Sequence, residues 1–137
     1  MSSREVLDQG LKTEDYVRVL FVEDDPEVAQ MYRLKLELDG YAVEVAIDGL
    51  QAVQMATGNP PDIIFLDIRL PKLDGLAVLE ALRADERTKQ VPVVILSNYS
   101  ERELVERGLR LGALEYLIKS QTTPAKLATG VESWLRG

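Results

Sequence analysis

The sequence predicts an α/β fold, a doubly wound parallel β-sheet with helices packed on both faces. Two observations carry this. Five short runs rich in Val, Ile, Leu and aromatics recur along the chain, and longer amphipathic stretches separate them. Strands that alternate with helices fold as parallel βα units. Several runs are apolar throughout rather than at alternate positions, as strands covered on both faces should be. At 137 residues the chain has the size of one domain. Residues 1–15 read as an N-terminal arm and residues 16–137 as that domain, with no repeat, low-complexity tract or linker.

The elements follow in order. A strand over Val17–Val22 runs into Glu23, Asp24 and Asp25, and a helix over Pro26–Leu38 follows. Asp25 suits the N-cap and Pro26 the first helical position. A second strand, Tyr41–Ala46, precedes a helix over Leu50–Thr57, and a third, Asp62–Leu66, precedes a helix over Gly75–Ala84. Asp48 and Asp74, each before a glycine, read as helix caps rather than ligands. The fourth strand is expected over Val91–Leu96, and its helix over Glu101–Leu111. Ser100 and Glu103 have the spacing of a capping box, and Gly112 suits a helix end. Gly108 within that helix costs about 1 kcal/mol relative to alanine, for no reason visible in the sequence. The last strand is Glu115–Ile118. The last helix is Pro124–Leu135, with Thr123 as its cap and Leu127, Val131 and Leu135 on one buried face.

Composition removes whole classes of chemistry. The chain has no cysteine, so disulfides, thiol catalysis and zinc–thiolate sites are absent. It has no histidine, which removes Ser-His-Asp catalysis and every histidine-based metal site. The net charge of −7 argues against nucleic acid or an anionic membrane as the main partner. No secretory signal is recognised and no apolar run approaches a membrane span, so a soluble, cytoplasmic protein is expected.

In an open parallel sheet, sites form beyond the carboxyl ends of the strands. The residues there are Glu23, Asp24 and Asp25 after the first strand, Asp67 after the third, Ser97 and Asn98 after the fourth, and Lys119 after the fifth. Several carboxylates within a few ångströms cannot all stay ionised without a compensating charge. Oxygen donors alone point to a hard divalent cation, Mg²⁺ first. A metal, a lysine and a hydroxyl around one carboxylate suit phosphoryl transfer onto that carboxylate. The cap argument assigns Asp25 to the helix and leaves Glu23 and Asp24 to the site.

VEDDP, FLDIRLPKLDG, VILSN and EYLIK, in this order and spacing, resemble the receiver domain of bacterial two-component response regulators. The resemblance covers about Val17 to Arg136. It implies a flavodoxin-like (βα)₅ sheet of order 2-1-3-4-5, with Asp67 as phosphoacceptor. It implies Mg²⁺ held by Asp24 and Asp67 directly, by Glu23 through a water, and by the main-chain carbonyl of Arg69. Ser97 matches the hydroxyl that turns toward the phosphoryl group, Lys119 the lysine that pairs with it, and Tyr116 the aromatic whose rotamer follows the hydroxyl. The implied donor is a phosphohistidine on a histidine kinase or phosphotransfer protein. The implied output is a change on the face of the fourth helix, fifth strand and fifth helix, read by a downstream protein. The implied molecule is a monomer or a phosphorylation-dependent homodimer. It is a switch that catalyses only its own phosphorylation and dephosphorylation, and no nucleic-acid-binding output is expected within the chain.

Three departures stand out. Ser120 follows Lys119 where the family commonly has a cis-proline, so a trans bond or a strained cis bond is expected there. Asn98 replaces a small residue. Arg69 and Tyr99 occupy positions that modulate phosphoryl lifetime, where they are expected to shield the phosphoryl group from water. Other functions fit the residues less well. A haloacid-dehalogenase-type phosphatase needs a second acid at Arg69, and a flavodoxin-like FMN carrier needs a phosphate loop where the acids stand. A phosphate-independent interaction module is opposed by the intact acid, hydroxyl and lysine set, while Asn98 and Ser120 keep it as the alternative.

Overall fold

The computed structural model describes residues 16–137; the expected N-terminal arm lies outside the described residues. The elements are β1 (Arg18–Val22), α1 (Pro26–Leu38), β2 (Ala42–Ala46), α2 (Gly49–Gly58), β3 (Ile63–Leu66), α3 (Gly75–Ala84), β4 (Val93–Ser97), α4 (Arg102–Arg110), β5 (Glu115–Ile118), a 3₁₀ turn (Lys119–Gln121) and α5 (Pro124–Arg136). All strand pairings are parallel and the order is β2-β1-β3-β4-β5.

Side-chain alternation explains why the central strands are apolar throughout. Leu20 and Val22 of β1, Ile64 and Leu66 of β3, and Val93 and Ile95 of β4 pack with α2, α3 and α4. Their neighbours Val19, Phe21, Ile63, Phe65, Val94 and Leu96 pack with α1 and α5. On that second face Tyr32 of α1 stacks on Phe21, with centroids 5.2 Å apart and planes 23° apart. Trp134 of α5 meets Phe65 edge-on at 5.7 Å and donates its indole N–H to Glu115.

The aspartate caps form as the sequence predicts. Asp25 accepts from the amides of Glu27 and Val28, Asp48 from Gln51, Asp74 from Ala77, and Thr123 from Lys126. Gly112 follows α4 with φ +105°, a conformation L side chains rarely adopt.

Two expectations are corrected. The Ser100–Glu103 capping box does not form: Glu101 occupies the N-cap, with φ −57°, ψ 131° and no side-chain cap bond, so Ser100 lies one residue too early. β4 starts at Val93 rather than Val91 and runs to Ser97, because Pro92 has no N–H to give to the ladder.

The structure also accounts for Gly108. It is the buried residue of α4, and a Cβ there would lie 2.6 Å from Ile95 Cδ1 and 3.4 Å from the Tyr116 ring. The absent side chain lets α4 sit on β4 and β5. All described peptide bonds are trans, including Lys119–Ser120, and the chain leaves β5 through the 3₁₀ turn.

Candidate functional site

Strand register assembles the site. Val22 of β1 pairs with Leu66 of β3, so the next residues, Glu23 and Asp67, emerge side by side at the carboxyl edge. Their amides continue the ladder, Glu23 N donating to the Ala46 carbonyl at 2.9 Å and Asp67 N to the Val22 carbonyl at 3.2 Å. Ser97 of β4 pairs with Ile118 of β5, and Lys119 follows at once. Gly75 completes the frame, since a Cβ there would lie 2.1 Å from the Asp67 carbonyl oxygen.

One lysine serves two carboxylates. Lys119 Nζ donates to Glu23 Oε1 at 2.6 Å and to Asp67 Oδ2 at 3.0 Å. All three side chains are largely buried, so these are charge-assisted bonds of the strong kind. Asp67 Oδ1 accepts from the Ile68 amide at 2.7 Å, and Glu23 Oε2 from the Asp25 amide at 3.1 Å. Glu23 therefore has both oxygens engaged within the protein, whereas Asp24 is exposed.

The electrostatics follow the burial. Desolvation pushes the Glu23 carboxyl above its usual range, only partly offset by Lys119 and the Asp25 amide. For Lys119, burial pulls the other way, but the bonds to Glu23 and Asp67 outweigh it and hold the ammonium above its ordinary value. Lys119 is thus a fixed positive charge facing Asp67.

Glu23, Asp24 and Asp67 each offer a carboxylate oxygen, and these atoms lie within 4.8 Å of one another. This oxygen-only set fits a hard divalent cation. The cleft around it is also lined by Arg69, Asn98, Tyr99 and Lys119. The Arg69 guanidinium carbon lies 4.6 Å from the centre of the Tyr99 ring, so these two residues form one cation–π pair at the cleft wall.

Ser97 stands apart. It is completely buried, is not among the lining residues, and its Oγ accepts from the Tyr99 amide at 3.1 Å. Tyr116 is half-buried and donates its hydroxyl to the Tyr99 carbonyl. Burial raises its phenol, and the Ser97 hydroxyl draws it partly back. The main chain of Tyr99 thus joins the buried hydroxyl to the β5 aromatic. Sequence reasoning missed this joint, and it missed the Ile68 amide on Asp67. Both are main-chain contacts, for which side-chain identity gives no signal.

A family model for the response regulator receiver domain matches residues 19–132. Among curated proteins the chain is similar to the transcriptional regulatory protein PrrA of Mycobacterium tuberculosis, 43% identical over 87% of this chain and 50% of that one. It is also similar to the DNA-binding dual master transcriptional regulator RpaA of Synechocystis, 39% identical over 74% of this chain and 42% of that one. The chain spans about half the length of these relatives or less. Among solved structures it is similar to the receiver domain of a Francisella response regulator, with TM-score 0.79, 33% identity, and 87% of this chain and 96% of that chain covered. It is likewise similar to the receiver domain of a Pseudomonas aeruginosa sensor histidine kinase that has a magnesium ion coordinated in its active-site cleft. There the TM-score is 0.81, the identity 32%, and the coverage 89% and 99%.

Proposed function

The chain belongs to the response regulator receiver domain family, and from that premise we propose that it takes a phosphoryl group from a phosphohistidine onto the carboxylate of Asp67. The observation that carries this reading is the placement of Lys119 Nζ between Glu23 and Asp67, with Asp24 open beside them. A carboxylate oxygen of Asp67 attacks phosphorus, the phosphorus–nitrogen bond to the donor imidazole breaks, and its electron pair leaves with the nitrogen. The product is an acyl phosphate on Asp67. The Ile68 amide holds one Asp67 oxygen, which fixes the carboxylate plane. Lys119 neutralises charge that develops on the transferred oxygens, from a position set before the donor arrives.

Asp24 and Asp67, with the main-chain carbonyl of Arg69, are the residues that would hold Mg²⁺. Glu23, with both oxygens engaged, would act through a water. Bound Mg²⁺ supplies charge stabilisation to the phosphoryl oxygens. Arg69 and Tyr99, paired at the cleft wall, limit the approach of water to the acyl phosphate, and Asn98 narrows the same entrance.

The output reading rests on how lightly one side of the molecule is seated. Within α4 only Gly108 is buried, and no residue of β5 is fully buried. Such elements shift at low cost. For Ser97 to bond a phosphoryl oxygen, its Oγ must turn from the Tyr99 amide, and Tyr116 is tied to the same residue. The change is then read on the α4–β5–α5 face by a downstream protein or by a second copy of the chain. The donor is a histidine kinase or phosphotransfer protein. Among the described residues no helix is long and apolar enough to cross a membrane.

The test is intact mass after incubation with Mg²⁺ and acetyl phosphate. One phosphoryl is expected on the wild type and none on Asp67→Asn. Equal labelling of both would move the acceptor elsewhere, and labelling of neither, with the fold intact, would favour a phosphate-independent interaction module.

A further inference from the structure

Lys119 can meet both carboxylates only if its main chain is held. It stands on the 3₁₀ turn after β5, and Thr122 closes that turn. The Thr122 amide donates to the Lys119 carbonyl at 3.2 Å, and Thr122 Oγ1 donates to the Ile118 carbonyl at 2.8 Å. These bonds are local, and they do not fix the turn relative to the acids.

A contact from another element does. The Tyr32 hydroxyl donates to the Thr122 carbonyl at 2.5 Å across 90 residues of sequence, in a buried environment. Tyr32 is 2% exposed and stacked on Phe21, so its ring has no freedom to follow a moving loop. It belongs to α1, whose first turn Asp25 caps directly after Glu23 and Asp24. The bond therefore ties the helix that follows the acidic pair to the turn that carries the lysine. The hydroxyl also lies within electrostatic reach of the site: burial raises its pKa, the Lys119 charge lowers it, and the Glu23 charge raises it.

A phenylalanine would fill this core position equally well. A buried hydroxyl is costly unless bonded, and this one is bonded to the loop. We infer that Tyr32 is a positioning residue: through the Thr122 carbonyl it sets the place of Lys119 opposite Asp67, and so the rate at which Asp67 is phosphorylated. This rests on the reading of Asp67 as the acceptor and Lys119 as its lysine.

The test compares the wild type with Tyr32→Phe, which keeps the ring and removes the hydroxyl, and uses Asp67→Asn as the blank. Three quantities are read well below the melting temperature: phosphorylation rate with acetyl phosphate, midpoint for Mg²⁺, and hydrogen exchange of the Thr122 amide. The expected result is a rate roughly tenfold lower, short of the about 10²-fold that a misplaced group can cost. The Mg²⁺ midpoint should not weaken, because Asp24 and Asp67 are placed by β1 and β3, and a displaced Lys119 takes a competing charge away from Asp67. Thr122 exchange should quicken while that of Leu96 in the core does not. A wild-type rate in Tyr32→Phe, unchanged Thr122 exchange, or an Mg²⁺ midpoint that weakens in step with the rate would each overturn the inference. If the wild type itself takes no phosphoryl group, the acceptor reading fails instead. The exchange measurement then still decides whether Tyr32 holds the loop.

Discussion

At the scale of single residues, the site is built around an excess of negative charge that one lysine offsets only in part. Glu23 and Asp67 share Lys119, and Asp24 is left facing the cleft. Three of these positions were legible because they directly follow apolar strands, where parallel sheets place their chemistry. Asp25 was legible because its neighbour is proline. Tyr32 was not, since a tyrosine on the buried face of a helix reads as packing, and its bond partner is a main-chain carbonyl 90 residues away. Arg69 and Tyr99 were legible as unusual residues but not as partners. Their pairing is worth about 0.5–1 kcal/mol at an exposed site. Removing it in Arg69→Ala, Tyr99→Ala is expected to speed hydrolysis of the acyl phosphate several-fold. Decay of the phosphorylated mass after donor removal measures this, and equal lifetimes would exclude the shielding role.

Among the elements, helix starts were the most legible feature, because Asp25, Asp48, Asp74 and Thr123 each bond an amide of the first turn. The exception is α4. Its Ser100–Glu103 spacing suits a cap, but the chain does not turn helical until after Glu101, so local pattern and tertiary path disagree. Gly108 belongs to the same helix and had no explanation within the sequence, because what it accommodates is Ile95 on β4. Gly108→Ala gains about 1 kcal/mol of helix propensity. Overpacking against Ile95 costs about 1–3 kcal/mol. A net loss is expected, read as a lower urea midpoint. Adding Ile95→Val removes the Cδ1 atom that obstructs the new methyl group and should recover part of the loss.

For the whole molecule, sheet order does the assembling. Placing β1 between β2 and β3, with β5 at the edge, brings residues 23, 67 and 119 into contact across 96 positions of sequence. Alternating strands and helices made the parallel sheet legible; the order came from the family resemblance. Register came only from the structure. A cation held by Asp24 and Asp67 links β1 to β3, so it should stabilise the fold as a unit. At a hundredfold excess over Kd the gain is about 2.7 kcal/mol. The expected outcome is a thermal midpoint that rises with Mg²⁺, falls back with EDTA, and does not respond in Asp24→Asn. The lone tryptophan gives this molecule an optical gauge of its own. Trp134 touches Phe65, two residues before Asp67, from α5, a helix of the proposed output face. Its emission therefore follows how α5 rests on β3 as the site is loaded, with no dye attached.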